Sequence, residues 1–206
     1  MKEILEKTES FPIELKPISI QIKKYLENNS SFNELVLNVL HRPWVAPLNW
    51  GLMLYKEAKT EWFLEFKERT GREIPDFYID FLKHINGGFI YGISMYGLTP
   101  SFFETGQLNR TLLQCHNLAT ANIRWIAEYK VDKDLFHFAS RHYSYDENVG
   151  YFWKDNIFFC YRTNGELLKQ WNSLEEMLYE EIQIAEEMML SEIPNEISIK
   201  TNKYVA

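Results

Sequence analysis

Two cysteines in 206 residues, Cys115 and Cys160, are too few for a disulfide framework or a metal motif. They read as reduced, mostly buried thiols. No apolar run approaches the ~20 residues a membrane-spanning helix needs, so no membrane partner is expected. The first residues, Met1-Lys2-Glu3-Ile4-Leu5-Glu6-Lys7, are charged where a signal peptide is apolar, and a cytoplasmic location is expected. An excess of cations is also missing. Lys and Arg number 22 against 29 Asp and Glu, for a net charge of −7. Phosphate neutralisation therefore cannot drive binding, and no nucleic-acid partner is expected.

Catalytic patterns are equally scarce. There is no Gly-rich phosphate loop that opens a helix and no Gly-x-Ser-x-Gly elbow. Cys115 and His116 are sequence neighbours; on a helix they point about 100° apart and form no nucleophile–base pair with each other. His137 and His142 flank an expected strand end, with Asp146-Glu147 following. That is the one place where imidazoles and carboxylates approach metal-ligand chemistry, and a packed or exposed histidine is the simpler reading of each. The expectation is a protein that is not an enzyme, with no catalytic residues, no metal and no cofactor.

What the chain does have is apolar and aromatic bulk: 46% hydrophobic and 16% aromatic residues, enough for a sizeable core. Pro17 to Glu27 reads as a short amphipathic helix. Ser31-Phe32-Asn33-Glu34 is a capping-box pattern that predicts a second helix over 32–40. Pro43 and Pro47 exclude regular helix and mark a linker. Helical periodicity resumes through Leu52, Tyr55, Trp62 and Phe66 and stops at Gly71. Asn117 to Tyr129 reads as helix. Leu135–Ser140, Gly150–Trp153 and Ile157–Arg162 read as strands, and Leu167–Trp171 as the returning strand after an Asn164-Gly165 turn. The last helix opens on Ser173 and Glu176, another capping box. The expected division is a helical N-terminal extension and linker over 1–51, an α+β domain over 52–192, and a tail over 193–206. The expected sheet is single, mixed and largely antiparallel.

The best-punctuated segment is 71–88. Pro75 suits a first helical position. Ile74, Tyr78, Phe81, Leu82 and Ile85 form one apolar stripe, and Asn86-Gly87-Gly88 tolerates the positive φ of a helix stop. Gly71, Ile74-Pro75, Tyr78, Phe81-Leu82 and Asn86-Gly87-Gly88 leading into a strand resemble the hallmark of the SUKH superfamily, which includes bacterial immunity proteins and a yeast cell-wall synthesis regulator. The similarity covers roughly residues 61–185. It implies an immunity protein that binds a cognate toxin domain, commonly basic and in many cases a nuclease, and blocks it by steric and electrostatic occlusion. The alternative it leaves open is a non-catalytic scaffold or regulator with several cellular partners.

Charge agrees with a basic protein partner. Residues 61–206 carry fourteen Lys/Arg against twenty-two Asp/Glu. Residues 174–193 hold no cation, and Glu175, Glu176, Glu180, Glu181, Glu186, Glu187 and Glu192 read as an acidic, self-repelling helix face. Tyr143-Ser144-Tyr145-Asp146-Glu147-Asn148 is a polar-aromatic loop suited to recognition. The partner-binding candidates are therefore Tyr143, Tyr145, Asp146, Glu147, Glu180, Glu181 and Glu187.

Overall fold

The structure is a computed structural model and describes residues 2–27, 30–32, 36–42, 49–98, 116–144 and 147–191. It begins with helices α1 (Lys2–Glu9) and α2 (Lys16–Tyr25), joined by a 3-10 turn at Ile13–Leu15. Strands β1 (Ser31–Phe32), β2 (Val36–His41) and β3 (Trp50–Tyr55) follow, then helices α3 (Thr60–Thr70) and α4 (Asp76–His84). Next come β4 (Gly88–Ile90), β5 (Ile93–Met95), the short helix α5 (Leu118–Ile123) and a 3-10 turn at Trp125–Glu128. The chain closes with β6 (Phe136–Ser144), β7 (Glu147–Lys154), β8 (Ile157–Arg162), β9 (Leu167–Trp171) and the long helix α6 (Leu174–Ser191). The nine strands among the described residues form one sheet in chain order, and every neighbouring pair is antiparallel. The α+β class and the antiparallel character follow the sequence reading.

The N-terminal third departs from it. The helix expected over 32–40 is strand β2, which pairs with β3 from Val36↔Tyr55 to His41↔Trp50. Val39 joins the main core and Val36 a small cluster with Tyr55. A strand buried on both sides loses its alternation and imitates a helical run. A local capping signal worth ~1 kcal/mol does not outweigh a ladder along β3 with apolar contacts on both sides of the strand. The periodicity assigned to helix from Leu52 is likewise strand up to Tyr55, and helix begins only at Thr60. The division expected after residue 51 thus falls inside β3. Ile4, Leu15, Ile18, Ile22 and Leu26 are buried in the same cluster as Phe81, Phe138, Tyr151 and Leu178. The linker around Pro43 and Pro47 lies outside the described residues.

The 71–88 segment shows why its residue types are needed. Gly71 caps α3 at φ 66°, its N–H donating to the Lys67 carbonyl. Pro75 stands one residue earlier than expected, as the N-cap of α4. Tyr78 is wholly buried, and its hydroxyl lies 2.6 Å from the Tyr96 carbonyl and 2.9 Å from that of Phe138, bridging β6 and the end of β5. Asn86 clamps Leu98 through both ends of its amide, at 2.8 and 2.7 Å. The helix itself stops in extended geometry at Ile85, so the two glycines are not its cap. They have φ of 76° and 154°, and a Cβ on Gly88 would sit 2.3 Å from the Met53 carbonyl oxygen. Their role is close backbone approach between β3, β4 and the end of β5.

Candidate functional site

Topology gathers four of the seven candidate residues at one point. β6 and β7 pair out to Ser144↔Glu147, so Tyr145 and Asp146 make the connection between them. Tyr143 and Glu147 flank it within the strands. Tyr145, Asp146 and the side chains of Tyr143 and Glu147 lie outside the described residues.

The other three candidates sit on α6, and the structure separates them. Glu187 is exposed and accepts a 3.1 Å hydrogen bond from Gln183. Glu180 is exposed but held: Lys169 Nζ and Trp171 Nε1 each donate to it at 2.6 Å. These two bonds keep its carboxyl below the usual carboxylate range. Burial works against the Lys169 ammonium, but the bond it donates to Glu180 and the charge of Glu181 outweigh it and raise its pKa. Glu181 is not on a docking face at all. It is fully buried, 3.0 Å from Arg141 and hydrogen-bonded by the Tyr151 hydroxyl, with Lys169 at 3.4 Å.

The acidic face read from the sequence is therefore compensated at three of its acids, Glu180, Glu181 and Glu186. Its missing cations arrive from other elements: Arg141 from β6, Lys169 from β9 and Lys24 from α2. Glu186 receives Lys24 at 2.9 Å, the Tyr25 hydroxyl at 2.5 Å and Gln21 at 3.4 Å. These contacts and the Tyr91–Gln21 bond at 2.8 Å tie the N-terminal helices to the rest of the fold. The sequence did carry a signal for this network. Arg141 lies two residues from Ala139 in an aromatic strand, at an inward register where an unpaired cation is costly.

The groups weighed for chemistry are dispersed. His137 is fully buried, its ring stacked on Phe152 at a centroid distance of 4.4 Å. Burial pushes its pKa down to about 3, so it is neutral at physiological pH. Its Nδ1 has no hydrogen-bond partner among the described residues, while its backbone is clamped by Asn122 at 2.9 and 3.1 Å. His116 Nδ1 lies 2.9 Å from the buried Ser94 hydroxyl. Cys115 and the His142 side chain lie outside the described residues, and Cys160 is buried. Among the described residues no three His, Cys, Asp or Glu side chains group as a metal site. No helix among them is long and apolar enough to cross a membrane.

The model of the SMI1/KNR4 family (SUKH-1) matches residues 57–180, from the segment before α3 into α6. No curated protein and no solved structure matches the chain. With well over half its length matched, the chain belongs to the SMI1/KNR4 family, whose members are non-catalytic immunity or regulatory proteins.

Proposed function

We propose that this SMI1/KNR4-family chain is an immunity protein that binds a basic toxin domain, such as a nuclease, in the cytoplasm and blocks its active site without turnover. Family membership over residues 57–180 is the observation that carries the proposal. The excess of eight acidic charges in residues 61–206 supports it, because long-range charge speeds encounter with a basic partner. The proposed contact surface centres on the β6–β7 connection: Tyr143 and Tyr145 as aromatic anchors, Asp146 and Glu147 as charged neighbours. Glu187 adds to the field from α6, while the charge of Glu180 is met by Lys169. Glu181 is left out, since its carboxylate is spent inside the fold on Arg141 and Tyr151.

The test is titration of a candidate toxin domain, sought first among the genes neighbouring this chain's own. Inhibition that reaches completion at one equivalent, with the toxin recovered intact after dissociation, is the expected result. Covalent change in the toxin, or inhibition by far less than one equivalent, would mean catalysis instead of occlusion. Failure to bind that toxin, with weak capture of several cellular proteins, would favour the scaffold alternative.

A further inference from the structure

Residues 129–135, between the 3-10 turn and β6, run as a strap across the sheet side opposite the main core. Several contacts fix this strap. The Lys130 N–H donates to the Thr163 carbonyl at 3.1 Å, and Gly165 packs so closely that a Cβ would lie 2.3 Å from the Lys130 carbonyl oxygen. Further along, Lys154 pairs with Asp132 at 2.8 Å and Asp134 at 3.8 Å. Arg72 donates to the carbonyls of Asp134 and Leu135 at 3.1 and 2.7 Å.

A groove lies on each side of the strap. One, of ≈ 400 Å³, is floored by Leu135, Ile157, Phe159 and Tyr161. The other, of ≈ 450 Å³, is walled by Arg72, Ile123, Ile126 and Ala127. Phe159 and Tyr161 are half-buried over a small cluster formed by Ile126, Tyr129, Leu135 and Phe152. Apolar surface continues outward from both grooves. Leu167, directly opposite Tyr161 on the terminal strand β9, is 45% exposed, and Ile123 is 48% exposed.

Charge around the strap runs against the acidity of the chain. Asp132 and Asp134 are drawn to Lys154. Arg124, Lys130 and Lys133 are exposed and make no ion pair among the described residues, and Arg72 bonds carbonyls. The other carboxylates beside them are Glu128, which is exposed, and Asp155, whose charge acts on Lys154. A chain of net charge −7 thus presents here a double groove with apolar floors and charged rims, where Arg72, Arg124, Lys130, Lys133 and Lys154 face Glu128, Asp132, Asp134 and Asp155.

We propose that the strap face docks an acidic peptide segment with apolar or aromatic side chains. Bulky side chains enter the grooves, and carboxylates between them meet Lys130, Lys133 and Arg124. This partner is opposite in charge to the toxin domain proposed above, and the inference does not rest on that reading. It gives the molecule a second binding surface on the far side of the sheet from α6.

The probes are three fluorescein-labelled heptapeptides, followed by anisotropy with the full chain: alternating Glu and Phe, alternating Lys and Phe, and alternating Glu and Ser. The Glu/Phe peptide is expected to bind and the other two at least tenfold more weakly. Lys130→Glu with Lys133→Glu should weaken Glu/Phe binding at least fivefold, as should Tyr161→Ser, while Glu187→Gln should leave it unchanged. Melting curves confirm that each variant is folded, and the charge reversals involve only exposed side chains. Equal binding of the Lys/Phe or Glu/Ser peptide, no binding of the Glu/Phe peptide, or binding insensitive to both groove variants would overturn the proposal. So would self-association of the free protein that Tyr161→Ser abolishes, since the face would then be covered by a second copy.

Discussion

Arg141 on β6 and Glu181 on α6 form an ion pair of 3.0 Å, with side chains only 3% and 0% exposed. The pair pins the closing helix to the centre of the sheet. Removing one partner breaks the closest ion pair of a charge held in the interior, which typically costs about 3–5 kcal/mol. Glu181→Gln and Arg141→Met should each show a loss of that order in urea unfolding. The double replacement Arg141→Met with Glu181→Met should cost less than either single change, because neither charge is left unpaired. A double variant as unstable as the two losses added together would contradict this reading.

Gly88 and Gly71 both have positive φ but differ in surroundings. At Gly71 a Cβ meets nothing within 4 Å, whereas at Gly88 it meets the backbone of Met53 and Leu54. Gly71→Ala should therefore cost only conformational strain, about 1 kcal/mol. Gly88→Ala adds a clash that side-chain motion cannot relieve and should cost about 3 kcal/mol or more. Thermal melts of the two variants check the difference. Equal losses would mean that close approach is not what the second glycine serves.

The legible parts of the fold were those with local punctuation. The turn residues between β7, β8 and β9 placed those strands, and Ser173 with Glu176 opened α6; the Glu176 N–H does bond Ser173 Oγ at 3.0 Å. The stripe of Tyr78, Phe81 and Leu82 is wholly core. What escaped was decided by distant chain. β2 imitates a helix because its apolar residues pack on both sides, Val39 in the main core and Val36 with Tyr55, and only pairing with β3 reveals it. The acids of α6 looked unopposed because Arg141 and Lys24 lie 40 and 162 residues from their partners, and Lys169, though only 11 residues from Glu180, stands on β9 outside the helix. Glu181 and Glu187 are six residues apart on one helix, yet one is core and the other surface. Composition alone does not separate them; the inward register of Arg141 does.

Burial of His137 has a consequence for pH. Its folded pKa, about 3, lies below the ordinary histidine value of 6.5 expected for the unfolded chain. Between these values the unfolded chain binds a proton that the folded chain does not. Stability from this group is thus fully present above pH 6.5 and lost as the pH falls through that window, by up to about 1.4 kcal/mol per pH unit. Urea unfolding between pH 7 and 5, above the range of most carboxylates, should show this slope. His137→Phe, which keeps the stack on Phe152, should flatten it. An unchanged slope in the variant would place the pH dependence elsewhere.

The most direct test of a charge-steered, occluding partner is the association rate with the cognate toxin domain, measured by stopped flow at ~50 and ~500 mM salt. Over that range the Debye length shrinks about threefold. The account predicts that k_on falls at least tenfold with salt. It also predicts that Asp146→Asn with Glu147→Gln lowers k_on at low salt with little change in k_off, whereas Tyr145→Ala raises k_off. A k_on unmoved by salt and by the carboxylate changes would contradict it and leave the acidity of the chain without a role in partner capture.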